Sequence, residues 1–401
     1  MVDLLECTIM PYAWGSHTAI AELTGRKTPS SGPEAELWMG AHPMAPSRLT
    51  RENTARSLAD VIAESADREL GANVAAKFGA RLPFLLKVLA AGQPLSLQAH
   101  PNEAQARAGF AAEDARGIPR DAPTRSYKDT SHKPELLCAL VPVDALCGFR
   151  TVADTLRLFD ELAVPELAKV LAPLRAAPTR SGLAKTFEAI MGLAKDDGAA
   201  IVRATVAACA RAKSAEFARE REWATKLDAL YPGDVGVVSA LLLNLVHLEP
   251  GEALYLDAGN LHAYLSGVGV EIMASSDNVL RGGLTKKHVD VPELMHVLDF
   301  ADGPVKPLRA MAVDAHERVW RTPASEFQLS AIDVDAGAVT RDVRGPEILL
   351  CMRGSVTVAP ASGAELVLSQ GRAAFVPGST GTYRLKGDPS ASLYRATVNL
   401  T

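Results

Sequence analysis

The sequence predicts a mainly β protein with a helical insertion, arranged as two jelly-roll-type barrels plus an α-helical lobe. Three observations carry that expectation. Short strand-like runs separated by Gly and Pro recur toward both ends of the chain, as in antiparallel barrels. Between Thr151 and about Leu248 the apolar residues recur at helical spacing instead. The turn-and-strand rhythm around Pro250-Gly251 returns at Gly371 and Val376-Pro377-Gly378. The resulting boundaries are a discontinuous first unit at 1–150 and 249–312, a helical insertion at 151–248, and a second barrel at 313–401.

Each element has a local reason. Ser57-Leu58-Ala59-Asp60 resembles a capping box and opens a helix through Ile62. Leu95 to Pro101 alternates apolar and polar, so Leu95, Leu97 and Ala99 face a core while Ser96, Gln98 and His100 share the other face. Pro101 cannot extend the pairing, which leaves His100 near the strand's end. A helix runs from Glu103 to about Ala112, followed by a long polar loop. In the insertion, Val152, Leu156, Phe159 and Leu162 form one stripe, and Leu183, Phe187, Ile190 and Ala194 another. Pro165, Pro173 and Pro178 are expected to break these helices apart. Ile201–Ala212 and Ser214–Leu230 follow as two more helices. Strands return after Tyr231-Pro232-Gly233-Asp234, and Ile348–Cys351, Gly354–Ala359, Ala364–Leu368 and Ala373–Val376 build the second barrel.

Composition narrows the function classes. At 401 residues the chain exceeds one typical core, and 48% hydrophobic with 22% charged residues is globular. A net charge of −5 gives no electrostatic case for nucleic acid or membrane binding. Any anionic ligand therefore needs a local basic cluster. The five cysteines are scattered without a Cys-x-x-Cys, which argues for reduced thiols, with Cys138 and Cys147 as core fillers. The opening residues Met1 to Cys7 show no basic region followed by a long apolar core, so no signal peptide and a cytoplasmic location are expected.

Three segments could converge on a metal. Gln98 and His100 stand two apart, Glu135 opens an apolar run, and His262 follows the strand Ala253–Leu256 and a turn. One amide oxygen, one carboxylate and two imidazoles suit Zn²⁺, with Fe²⁺ and Mn²⁺ tolerated. The competing reading makes each His a half-buried, hydrogen-bonded wall residue.

Longer motifs sharpen that choice. Leu82–Leu89 with Pro94–Pro101, His132-Lys133-Pro134-Glu135, Gly259–Gly267 and Glu271–Lys287 resemble the signature of the type I phosphomannose isomerases. Tyr12-Ala13-Trp14-Gly15 and Ala35–Pro43 match as well, so the resemblance runs from about residue 8 to 300. It implies cupin-like barrels, one Zn²⁺ held by Gln98, His100, Glu135 and His262, and interconversion of mannose 6-phosphate and fructose 6-phosphate through a cis-enediol. The second barrel has no His after His316 and is expected to lack a metal.

Such an isomerisation needs a base, an electrophile and grips for the phosphate. Glu271, in an apolar strand where its pKa would rise, is the favoured base. Asp277, His132 and Lys133 are the other candidates for proton transfer, although Asp277 alone reads as a turn former. Arg281 is the leading phosphate grip, followed by two glycines that would allow close approach of a ligand. Ser96, Lys87 and Lys287 complete the substrate-binding set, and Lys87 stands in an apolar run where an unpaired charge is costly. Trp14 and Trp38 receive no role, and His17, His42, His247, His296 and His316 are read as ordinary structural residues. Rival readings are a cupin oxygenase with redox-active iron and a non-catalytic sugar-phosphate sensor. Gln98 stands against the first, since such sites more usually carry His there. A base beside a metal stands against the second. The expected partner is a small sugar phosphate, bound by a monomer with no nucleic acid or membrane.

Overall fold

A computed structural model describes residues 1–334 and 337–400. Its organising element is the thirteen-residue strand His262–Ala274, which takes part in two sheet layers in succession. Its first residues pair with Val143–Phe149 (His262 opposite Cys147, Tyr264 opposite Ala145), and His262 also lies opposite Gln98. From Gly267 onward it pairs instead with Phe84–Ala91 on one side and Glu135–Ala139 on the other. The change of partner occurs where the backbone must bend. Gly267 has φ +111°, and a Cβ there would meet the Pro142 carbonyl at 2.5 Å, so no side chain fits. Leu89, Ala91, Leu137, Ala139, Ala145, Val246, Leu254 and Tyr264 fill the space between the layers.

The strand Phe84–Ala91 is buried along its whole length. Leu86, Val88 and Ala90 pack outward against Trp320, Leu329, Ile348 and Phe375 of a seven-stranded C-terminal sheet. Alternation therefore turns Lys87 inward, away from the surface. The N-terminal strand Asp3–Leu5 joins that C-terminal sheet by pairing with Ala373–Val376. Behind it lies a four-stranded sheet, and Ile332, Leu349, Val356, Leu368 and Leu393 form the core between the two. The expected C-terminal strands are present as Glu347–Arg353, Ser355–Pro360, Leu366–Ser369 and Ala373–Val376. Among the described residues no sheet closes on itself.

Helices occupy the insertion from Val152–Leu162 to Gly236–Ala240, and their apolar faces pack on Leu97, Ala99, Leu261 and Phe149. Three details differ from expectation. Pro173 lies inside the helix Ala168–Ala176, where the Leu174 N–H donates to Thr186 Oγ1 of the next helix at 3.1 Å. Packing of Val170, Leu171 and Leu174 outweighs the proline's cost there. Ala194 caps the helix Lys195–Arg211 and takes no part in Arg180–Met191. The strand expected across Leu95–Pro101 is paired only at Gln98–Ala99, although Leu97 and Ala99 do face the core.

Ser57 accepts from the Ala59 and Asp60 N–H groups and caps the helix Leu58–Glu64. All five cysteines are free, and burial pushes the Cys7, Cys138 and Cys147 thiols up to about 12. No helix among the described residues is long and apolar enough to cross a membrane.

Candidate metal centre

Glu135 starts its strand as the register partner of Leu256 and Met273, and His262 starts the long strand opposite Gln98. The bend at Gly267 thus folds the two layers so that ligands from both can meet. His100 Nε2 lies 3.4 Å from Glu135 Oε1, and His262 Nε2 lies 3.3 Å from Glu135 Oε2. One ligand atom from each of the three residues falls within 4.8 Å of the others. All three side chains are buried, and His100 Nε2, His262 Nε2 and Glu135 Oε2 have no hydrogen-bond partner. Orphaned polar atoms in a buried site are costly unless something charged fills the space between them.

The outer nitrogens settle the tautomers. His100 Nδ1 lies 2.7 Å from the Asn278 carbonyl, and His262 Nδ1 lies 3.0 Å from the Asn260 carbonyl. A carbonyl only accepts, so each Nδ1 carries the proton and each Nε2 turns a lone pair inward. Burial and the Lys133 charge press His100 down to about 4, which keeps the ring neutral. Burial alone would raise Glu135, but Lys133 and the two imidazoles hold it well below the usual carboxylate range. Two neutral imidazoles and a carboxylate are the donor chemistry zinc takes, and backbone carbonyls behind both rings are the usual outer support.

Asn278, to which no sequence pattern assigns a role, organises this support. It is fully buried, and its Oδ1 accepts from the Lys128 and Asp129 N–H groups at 2.7 and 3.1 Å. Its Nδ2 donates to the carbonyls of Asp129 and Ser131 at 2.9 and 2.8 Å. Asp129 in turn accepts from the Asp277 N–H at 2.9 Å and from Ser276 Oγ at 2.9 Å. The long loop before Glu135 is thereby tied to the segment that orients His100.

A cavity of about 150 Å³ adjoins the centre, with Lys133, Lys87, Asp277, Glu36, Tyr12, Trp38 and His42 among its lining residues. Lys133 Nζ lies 3.1 Å from Glu135 Oε1 and so links cavity and metal set. Lys87 is buried 2.9 Å from Glu271 and 3.6 Å from Glu36, with its Nζ 5.4 Å from the Trp38 ring centre. Burial opposes its charge, and the carboxylates of Glu271, Glu36 and Glu135 more than restore it. Burial pushes Glu271 upward, against the pull of Lys87. Glu271 stands behind Lys87 and does not line this cavity. Burial would also raise Asp277, but His42, Lys133 and Lys128 outweigh it and hold the carboxyl low.

Arg281 lies opposite Gln98 across a short strand pair, half-buried. Burial lowers Lys287, and the charges of Arg281 and Lys128 lower it further. These three cations make no ion pair with a carboxylate among the described residues, which suits a multiply charged anion. Ser96, half-buried, precedes Gln98 on the same run. The glycines after Arg281 serve packing: a Cβ on Gly283 would meet the Gly236 Cα at 2.7 Å. His132 points elsewhere. Its Nε2 lies 2.8 Å from Glu326 Oε1, beside a second cavity lined by Lys77, Arg81 and Arg107. In the sequence Glu36, Trp38 and His42 carry the resemblance alone; a charge set between aromatics is the signal there of a cavity wall.

The family profile of the phosphomannose isomerase type I catalytic domain matches residues 2–152. Mannose-6-phosphate isomerase of Escherichia coli K12 is 41% identical over 387 residues, covering 95% of this chain and 96% of that protein. Among solved structures, a zinc-bound mannose 6-phosphate isomerase superposes with TM-score 0.90 at 37% identity. The Salmonella typhimurium enzyme bound to fructose 6-phosphate and zinc superposes with TM-score 0.92 at 36% identity, each chain covered completely.

Proposed function

The chain belongs to the type I phosphomannose isomerases, and from that premise we propose how its own residues carry the reaction. It is a zinc-dependent enzyme interconverting mannose 6-phosphate and fructose 6-phosphate. The observation that carries our reading of the site is the set of inward, partnerless atoms on His100, Glu135 and His262, with Gln98 alongside His262. These four residues hold the zinc, and bound zinc supplies a fixed divalent charge near the substrate oxygens that become negative.

The unpaired cations Arg281, Lys287 and Lys128, with Ser96 two residues before Gln98, bind the phosphate. Asp277 and Lys133 face the cavity from opposite charges and handle the protons. Asp277, ionised at neutral pH, accepts the proton from the carbon next to the carbonyl, and the resulting enediol is reprotonated on the neighbouring carbon. Lys133 donates to the oxygen on which charge develops. It takes a proton back from the neighbouring hydroxyl as the protonated Asp277 returns its proton to carbon, so both groups end as they began. Glu271 keeps Lys87 charged and inward, so Glu271→Gln should lower turnover through Lys87 while leaving the base in place. We also read the two sheet pairs as cupin-like jelly-roll units at 1–150 with 249–312 and at 313–401, the first lending the strands Asp3–Leu5 and Met311–Ala312 to the second, around the helical insertion 151–248, in a cytoplasmic monomer.

The test is mannose 6-phosphate in heavy water, given to protein stripped of metal and then resupplied with Zn²⁺. Zinc-dependent fructose 6-phosphate carrying solvent deuterium on the receiving carbon supports the enediol route. Product free of deuterium would move the proton transfer to a shielded or hydride-like path. No product with zinc restored would remove the isomerase reading.

A further inference from the structure

We propose that His42 is a positioning residue for the isomerisation: its imidazole N–H fixes one carboxylate oxygen of Asp277 and leaves the other for substrate. This rests on the assignment of Asp277 as proton acceptor. The geometry starts from a turn. The Ala45 N–H donates to the His42 carbonyl at 3.1 Å, with Pro43 at the second position, where its fixed φ suits a turn. That turn brings the Met44 N–H to 3.3 Å from His42 Nδ1. Nδ1 is therefore the acceptor, and the ring proton resides on Nε2. His42 Nε2 lies 3.3 Å from Asp277 Oδ2, within pairing reach and free to tighten when a ligand closes the site.

Both partners are anchored independently. His42 is only 4% exposed and meets Trp38 edge to face, with ring centres 4.9 Å apart. Trp38 is held in turn, since its indole N–H donates to Glu36 Oε2 at 2.7 Å. Asp277 is pinned through its main chain by the bond from its N–H to Asp129 Oδ2 at 2.9 Å. Its Oδ1 accepts no hydrogen bond from the protein among the described residues. A buried donor on one oxygen and an open second oxygen orient a carboxylate for proton transfer, as an outer partner orients any reacting group. An apolar aromatic would also pack on Trp38, and the Met44 N–H that bonds to Nδ1 belongs to an exposed residue and can turn to water, so the Asp277 contact is what calls for the ring's N–H.

Three zinc-loaded variants test this. His42→Phe keeps the aromatic contact and loses the donor; His42→Gln returns an amide N–H at similar reach; Asp277→Asn removes the acceptor itself. We expect His42→Phe to lower kcat about tenfold to hundredfold with little change in KM or bound zinc. Its acidic limb in kcat against pH should move to higher pH, and His42→Gln should restore most of the rate. Asp277→Asn should lose more, and adding His42→Phe to it should cost nothing further. Wild-type kcat and pH profile in His42→Phe, or a His42→Gln variant no better than His42→Phe, would overturn the inference. Full turnover by Asp277→Asn would instead overturn the assignment of Asp277. Should His42→Phe fail to fold, the rate of His42→Gln and the comparison with Asp277→Asn still decide between these outcomes.

Discussion

The two halves of the β framework bury charge in opposite ways. Between the layers of the first, His100, Glu135 and His262 turn inward atoms that find no partner in the protein. In the C-terminal half, Glu317 and Glu347 are buried too, yet all four of their carboxylate oxygens are occupied. Ser330 Oγ donates to Glu317 Oε1 at 2.6 Å, Arg395 Nη1 stands 3.1 Å from the same oxygen, and Arg341 Nε stands 2.8 Å from Oε2. Tyr383 donates to Glu347 Oε2 at 2.7 Å, and Arg395 pairs with Oε1. What is left without a hydrogen-bond partner in the C-terminal network is two donors, Arg341 Nε and Arg395 Nε, whereas the atoms left over on His100, Glu135 and His262 are acceptors, which only a cation or a donor can satisfy.

Breaking each network should therefore fail differently. The largest effect belongs to Glu135→Ala, which should abolish zinc retention and turnover while the chain remains folded; metal analysis and circular dichroism check both. Next, Glu347→Ala leaves Arg395 with Glu317 as its remaining carboxylate and the Tyr383 hydroxyl without its acceptor, and should cost about 3 kcal/mol of stability. Denaturant unfolding would show that loss, and the folded protein should bind zinc as the wild type does. A smaller effect is expected from Asn278→Ala, which loosens the loop behind His100. Outer-support losses of this kind weaken metal affinity by about 10- to 100-fold. A competitive chelator titration would measure it.

The smallest effect concerns the clasp between the two halves. Bonding to Glu326 raises His132 above the ordinary histidine value, against burial. A raised histidine adds stability that is fully present below its unfolded pKa and fades as pH rises through the folded one. Glu326→Gln should therefore lower the melting temperature below about pH 6, by an amount corresponding to at most about 1 kcal/mol, and leave it unchanged at alkaline pH. Equal losses at both pH values would mean that the contact works by shape alone.

How much of this was legible in the sequence follows the range of the interactions. Glu135 at a strand entrance and the cadence of short C-terminal strands are local patterns and are present as elements, whereas the run that carries Gln98 and His100 is a strand only at Gln98–Ala99. Lys87 read as inward because an unpaired charge in an apolar run is costly, and it lies between two carboxylates. The partners that required long loops to meet could not be read. Asn278 reaches back about 150 residues to Lys128, and His42 meets Asp277 across most of the unit. No periodicity encodes such a meeting. His132 adjoins Lys133 in sequence but belongs to a different cavity, since neighbouring residues in an extended segment point to opposite sides. Pro173 stayed helical because tertiary packing outweighed a local preference.

The most direct test of the central claim is a zinc titration of metal-stripped protein, comparing wild type, Glu135→Gln and Glu317→Gln. If the partnerless set is the metal centre, wild type and Glu317→Gln take up one tightly held ion per chain and Glu135→Gln does not. Tight one-to-one binding that survives Glu135→Gln, or is lost only in Glu317→Gln, would contradict it.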